Sequence, residues 1–376
     1  MSARMLAEHL GYLSDTNRNR LYQAAIRSVL MPGQRVVDLG CGSGLLGLYC
    51  LQQGAAFVDA IDETSIIEVA RETFVREGFA SRTQLHRSSS FATKLACPAD
   101  LVVCDHVGYF GFDYGLIALL ADAKTRFLRP DGRLMPRRLQ LLTAAVTSDA
   151  CRSKAEAWGA DAVAPAYRWM RDRGTNSKHA VNLPAQALIS DLGVSADLNL
   201  EQELGAYLTF KNELTISRDG LLDGILGCFR AELAEGIWMT NSPLADDAIQ
   251  RPQAFLPISS RLEVHAGDVV LATLRIRPAE NILAWELEHP RSGRRFSHST
   301  FKNELFASED LNRLKLTNRP RLSERGRLRQ MILAMVDGRN SIEQIEQRLL
   351  REQPEALGTE SELRQFVVST LLRDAE

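Results

Sequence analysis

The stretch VVDLGCGSG, residues 36–44, constrains this chain more than any other. Val36 and Val37 have the character of a buried parallel strand with Asp38 near its carboxyl end. Gly40, Gly42 and Gly44 then allow a sharp turn and a close approach of backbone to a ligand. The following GLLGLYCLQQ reads as a helix. Strand, glycine turn and helix in this order predict a doubly wound α/β sheet with a ligand at the carboxyl edge of its first strand. The turn alone leaves the ligand open, because dinucleotide sites also use closely spaced glycines. The next strand, AAFVDAIDETS, ends in Asp62, about 20 residues on, where an acidic side chain meets a ribose diol. A solvated strand end or a helix cap is the other reading of Asp62.

The alternation continues to about residue 136. Strands are expected at 35–39, 57–61, 83–86, 100–104 and 133–135, with helices at 44–53, 64–78 and 114–128 and a helical stretch over 5–30. After Pro136 the texture changes. PRRLQLLTAAVTS reads as the first strand of a different structure, and ACRSKAEAWGADA and PAQALISDLG read as short helical pieces. Short strands with turn signals then dominate to about 305, which predicts a barrel or sandwich. The tail is helical again: Gly338 suits the left-handed position after a helix, and Ser341 with Gln344 suits a capping box. A Rossmann-like domain over 1–136, a β-barrel-like domain with a helical arm over 137–315 and a three-helix module over 316–376 are expected.

A net charge of −2 over 376 residues gives no basic footprint, so no nucleic-acid partner is expected. The six cysteines form no C-x-x-C pair, which predicts neither a zinc site nor a disulfide framework. The polar start MSARMLAEHLGYLSD and the lack of a long apolar run predict a cytoplasmic protein without a membrane span.

Four further segments sharpen the reading: LSDTNRNRLYQAAI, GAAFVDAIDETSIIEVA, ADLVVCDHVGYFGFDYG and FLRPDGRLMP. Together with the glycine turn and the β-rich second half, they resemble the protein arginine methyltransferase family over roughly residues 9–300. The resemblance implies S-adenosyl-L-methionine as cofactor. It places Arg18 on the methionine carboxylate and Asp62, with Glu63 beside it, on the ribose. Asp38, Gly40, Gly42 and Gly44 line the cofactor, and Ser89 and Ser90 fall at the adenine, where the family's usual acidic residue is replaced by serine. A guanidinium fork matches a carboxylate, and a carboxylate accepts from two hydroxyls.

The acceptor site departs from that family. Its two glutamates, nine residues apart after the fourth strand, correspond here to Asp105 and Tyr114, with Asp113 adjacent to the second. Its Thr-His-Trp turn corresponds to DAIQRPQAFLPI, in which Gln250 and Arg251 replace the histidine and tryptophan while Gln253 keeps register. Asp105 is read as orienting the acceptor and His106 as a general base or a pocket wall; Tyr22 and Tyr109 are read as pocket residues. Three readings stand: a methyltransferase for another acceptor, on a small molecule or peptide; an arginine methyltransferase with a degenerate acidic loop; and a silent cofactor-binding scaffold. MILAMVDGRNSIEQIEQRLL is similar to small helical modules of peptide-tailoring systems, which implies a peptide or protein partner for the tail. The family's head-to-tail dimers imply a homodimer through an arm within 151–205, anchored by Trp158, Trp169, Met170 and Leu188.

Overall fold

The computed structural model describes residues 2–353 and 359–375. It forms two compact units, one ending at Glu304 and the other beginning at Leu305.

The first unit opens with α1 (Ala3–Ser14) and α2 (Thr16–Val29). The single helical stretch expected over 5–30 is broken because Asp15 leaves helical geometry to cap α2, accepting from the Arg18 amide at 3.1 Å. Next come β1 (Arg35–Leu39), α3 (Leu45–Gln52), β2 (Phe57–Ile61), α4 (Ile67–Arg76), β3 (Thr83–His86), β4 (Ala99–Cys104), α5 (Leu116–Arg126) and β5 (Leu128–Met135). All five strands are parallel, in the order β3-β2-β1-β4-β5. Val37 pairs with Asp59 on one side and Val102 on the other. The direction of winding reverses between β1 and β4, and a crevice opens beyond the carboxyl ends of those strands. Val36, Val37, Val58, Val102 and Val103 are fully buried, as strands covered on both faces require.

The second half of this unit contains β6 (Arg138–Val146), α6 (Asp149–Ala155), α7 (Arg171–Thr175), β7 (His179–Val181), β8 (Gly193–Asn199), β9 (Leu208–Thr215), β10 (Gly220–Ala234), β11 (Ile237–Thr240), β12 (Gln253–Val264), β13 (Val269–Arg277), β14 (Ile282–His289) and β15 (Arg294–Ser299). They make two antiparallel sheets, β7-β12-β10-β6-β8 with β11 on β10, and β15-β14-β13-β9. Alternation is strict on β14, whose Leu283, Trp285 and Leu287 face the core. Trp285 joins the sheets by donating its indole N–H to the Pro257 carbonyl at 2.8 Å. PAQALISDLG is not the helical piece its composition suggests. Only Ala185–Ala187 makes a single 3₁₀ turn, after which Leu188 and Ser190 bridge to Val146 and Ile216. Leu188 is buried within the chain, so it does not serve as an exposed anchor of an arm.

The second unit contains α8 (Ser308–Arg313), α9 (Glu324–Ala334), α10 (Ile342–Glu352) and α11 (Glu360–Asp374). Its core is built from Leu328, Ile332, Met335, Ile345, Leu349, Leu363, Phe366 and Val367. Gly338 has φ +75°, and Ser341 and Gln344 make the reciprocal capping box. No helix among the described residues is long and apolar enough to cross a membrane.

Candidate active site

The glycine turn is shaped by backbone. Gly40, Gly42 and Gly44 have φ of +68°, +54° and +82°, which an L side chain adopts only under strain. The Gly40 and Cys41 amides both donate to the Ile61 carbonyl at 2.9 Å, tying the turn to the end of β2. A methyl group on Gly40 would lie 2.3 Å from His106 Nε2, and one on Gly42 would lie 2.6 Å from His9 Cε1. Two imidazoles therefore stand directly over the turn. Gly44 faces the other way, packed on Ala70 and Phe74 beneath the start of α3.

Two carboxylates brace this end. Asp38 is buried and accepts from the Gly47 amide at 2.7 Å; burial pushes its pKa up to about 7. Asp62 accepts from the Gly42 amide at 2.9 Å with one oxygen, and from the Thr64 amide and hydroxyl with the other. Its neighbour Glu63 also lines the cleft.

The end of β4 is built from charged side chains. Arg18 Nε donates to Asp105 Oδ2 at 2.6 Å, Arg251 Nη2 donates to the same oxygen at 2.5 Å, and the Tyr22 hydroxyl donates to Oδ1 at 3.1 Å. All three side chains of this Arg–Asp–Arg cluster are at least nine-tenths buried. Burial pushes the Asp105 pKa up, but the two guanidinium groups outweigh it and hold the carboxyl below its ordinary value. The Tyr12 ring lies 5.7 Å from the Arg18 guanidinium and 5.2 Å from that of Arg251.

Asp113 is equally committed. It is buried, accepts from the amides of Tyr109 at 2.9 Å and Phe110 at 2.7 Å, and is ion-paired with Lys178. Asp113 thus closes the loop after β4 on itself. Tyr114 follows in a left-handed conformation, φ +54°, and stands exposed at the cleft. Asn241 fixes the loop against the β domain by donating to the carbonyls of Tyr109 at 2.9 Å and Pro252 at 2.7 Å. Gln253, donating to the Asn241 carbonyl at 2.8 Å, holds that amide in place.

The two ends share one cleft of about 990 Å³, at the upper limit for a small-molecule site. Arg18, Asp38, Gly40, Gly42, Asp62, Glu63, Ser89, Ser90, Asp105, His106 and Tyr109 all line it; Gly44 does not. Burial lowers the pKa of His106, so the imidazole is neutral near pH 7, and its Nδ1 is buried without a partner among the described residues. Burial also pushes the Tyr109 hydroxyl up to about 12, and it donates to the Lys178 carbonyl at 3.4 Å. Sequence reasoning missed the roles of Tyr12, Lys178 and Asn241. Each acts through a contact with a residue distant in sequence, and no local spacing announces it.

Residues 20–135 match the family model described as ribosomal protein L11 methyltransferase. The chain is 25% identical over 280 residues to protein arginine N-methyltransferase 1 of Schizosaccharomyces pombe, a match covering 72% of this chain and 82% of the relative. The chain is thus similar to the arginine-methyltransferase-like class I methyltransferases. Against protein arginine N-methyltransferase 6 of Danio rerio the identity is 27% over 152 residues, covering 40% of this chain and 44% of the relative. The fold also matches the Trypanosoma brucei PRMT1 enzyme-prozyme heterotetrameric complex with AdoHcy, with a TM-score of 0.69 and 15% identity over 77% of this chain and 96% of that one. The chain supplies its own cations to both Asp105 and Asp113, the acidic residues of the loop after β4.

Proposed function

We propose that this methyltransferase binds S-adenosyl-L-methionine in the cleft and transfers its methyl group to an acceptor other than a free guanidinium. The observation that carries the second half is the position of Arg251: the chain's own guanidinium sits on Asp105, the carboxylate available for a substrate guanidinium.

The cleft fits the cofactor because Arg18, the glycine turn, Asp62, Glu63, Ser89 and Ser90 line one continuous volume of about 990 Å³. Arg18 holds the amino-acid carboxylate, Asp62 and Glu63 meet the ribose, and Ser89 and Ser90 border the adenine. When bound, the cofactor supplies a methyl group made electrophilic by a positively charged sulfur. The chain positions the acceptor, since transfer from a sulfonium rests on alignment. His106 packs over Gly40 as a wall between the two ends of the cleft, and Tyr109 flanks the acceptor. The intact turn argues against a silent scaffold, and the filled acidic loop argues against arginine as acceptor.

On this reading, residues 1–136 bind the cofactor, residues 137–315 complete the acceptor site and carry self-association, and residues 316–376 engage a peptide or protein partner. Trp158, Tyr167 and Trp169 are exposed on the segment after α6 and supply the apolar surface for a homodimer. The test is calorimetric titration with S-adenosylhomocysteine. Wild type binds, and Glu63→Gln binds about tenfold more weakly, the worth of one charge-assisted hydrogen bond. Arginine peptides incubated with labelled methyl donor stay unlabelled. An unresponsive wild type would remove the cofactor reading, and labelled arginine would remove the acceptor reading.

A further inference from the structure

Resting on that cofactor reading, we propose that the acceptor is a carboxylate, seated on Arg251 and methylated on oxygen to give an ester.

The first ground is the state of the acidic groups beyond β4. A cationic acceptor needs an uncommitted carboxylate to hold it and localise its charge. Asp105 is shared by Arg18, Arg251 and Tyr22. Asp113 is filled by Lys178 and two backbone amides. Asp15 gives one oxygen to the Arg18 amide and the other to the Gln250 amide. Glu8, on α1 and outside the sheet, is exposed at the cleft and accepts from the Tyr12 hydroxyl at 3.3 Å with one of its two oxygens. Asp62 and Glu63 stand at the end of β2, separated from β4 by β1. A guanidinium or ammonium brought to Asp105 would have to displace a buried arginine already paired there, leaving a buried charge uncompensated.

The second ground is the arginine itself. Arg251 lines the cleft and uses Nη2 on Asp105 and Nη1 on the Gly108 carbonyl at 3.4 Å. No acceptor among the described residues meets its Nε. A guanidinium has five N–H donors in a planar fork, so donors remain for a ligand, and the oxygen pair of a carboxylate is the group that matches them. Asn241 and Gln253 fix the loop that carries Arg251, so its fork is held in place before the acceptor arrives.

The third ground is the chemistry available. A hydroxyl acceptor must lose a proton, but His106 is packed against the glycine turn and its Nδ1 has no hydrogen-bonded relay. A carboxylate is already ionised and asks for no base. Its oxygen forms the new bond to the methyl carbon while the carbon–sulfur bond opens and leaves its electron pair on sulfur. A neutral ester and a neutral thioether result, and no proton moves.

The test uses the full chain saturated with S-adenosylhomocysteine. Blocked peptides containing Asp or Glu, their Asn and Gln counterparts, and free succinate are titrated calorimetrically; peptide against succinate separates a polypeptide source of the carboxylate from a free acid. At least one acidic probe binds more tightly than its uncharged counterpart. Arg251→Gln weakens that binding by about 10- to 100-fold, the size of one or two charge-assisted hydrogen bonds, and Arg251→Lys recovers part of it. A far-UV circular dichroism spectrum like that of wild type in both variants shows that they fold. In a second readout, methyl label transferred to the acidic probe is released as methanol at alkaline pH, as an ester requires. Equal treatment of acidic and uncharged probes by wild type overturns the proposal, as does alkali-stable label. Failure of the wild type to bind S-adenosylhomocysteine instead removes the cofactor reading beneath it.

Discussion

At the end of β1 the cleft is shaped by the main chain: left-handed glycines, paired amides on the Ile61 carbonyl, and carboxylates turned onto backbone N–H groups. At the end of β4 it is shaped by ion pairs, Arg18 and Arg251 on Asp105 and Lys178 on Asp113. The first kind of construction depends on residues no more than about twenty positions apart and tolerates little change. The second draws partners from distant parts of the chain. On the proposed function, such a fold keeps its methyl donor while its acceptor changes.

Three perturbations sharpen that contrast, the largest first. Lys178→Met strands the buried Asp113 carboxylate and lowers stability by about 3–5 kcal/mol. Adding Asp113→Asn to it restores most of the loss, read by chemical denaturation, while S-adenosylhomocysteine affinity stays within about twofold throughout. Loss of cofactor affinity in the single variant would show that the two ends are not separable.

Next, Gly44→Ala and Gly40→Ala divide stability from binding. At Gly44 the new methyl meets Ala70 Cβ at 2.7 Å and the Ala70 main chain at 3.2 Å, so crowding adds to left-handed strain and costs about 3 kcal/mol. At Gly40 the obstacle is the tip of the His106 side chain. Stability there falls by only about 1 kcal/mol, but S-adenosylhomocysteine binding drops about 100-fold. Equal losses of stability in the two variants would contradict the different surroundings assigned to them.

The smallest effect is in pH. Burial holds the His106 pKa below 6.5, so as pH falls through 6.5 the unfolded chain takes up a proton that the folded chain resists. Its contribution to stability is therefore present at neutral pH and declines below 6.5. Asp105 behaves oppositely in cause, since its cations hold its pKa below 3.8. The stability it contributes persists through that first decline and is lost only as pH falls from 3.8 through its depressed folded value. His106→Gln should make the limb just below pH 6.5 shallower, the remainder coming from His9, His179 and His298, which burial also holds below 6.5, and leave the more acidic one in place, measured by denaturant midpoints across pH.

The same contrast explains what was legible in the sequence. Strands β1, β2 and β3 fall at the expected limits because their apolar runs are bounded by turn residues, and the capping box at Ser341 is local by nature. The break at Asp15 was less legible, since the apolar stripe runs on across it while the side chain caps α2. β8 went unread because GVSADLN carries only Ala196 and Leu198 as its buried face, between polar neighbours. β12 begins at Gln253, within a segment aligned as a turn, because pairing with β10 and β7 extends it. At the site, the replacement of a family histidine and tryptophan by Gln250 and Arg251 was visible. That Arg251 reaches Asp105, across 146 positions, was not.

Asn241 sets the gauge of the proposed acceptor slot. One carboxamide nitrogen bridges the carbonyl of Tyr109 on one wall and that of Pro252, next to Arg251, on the other. An aspartate there would present oxygen to both carbonyls and force the walls apart without changing any residue that an acceptor meets. On the proposed reading, the width of that slot is set by a side chain that holds the main chain of both its walls.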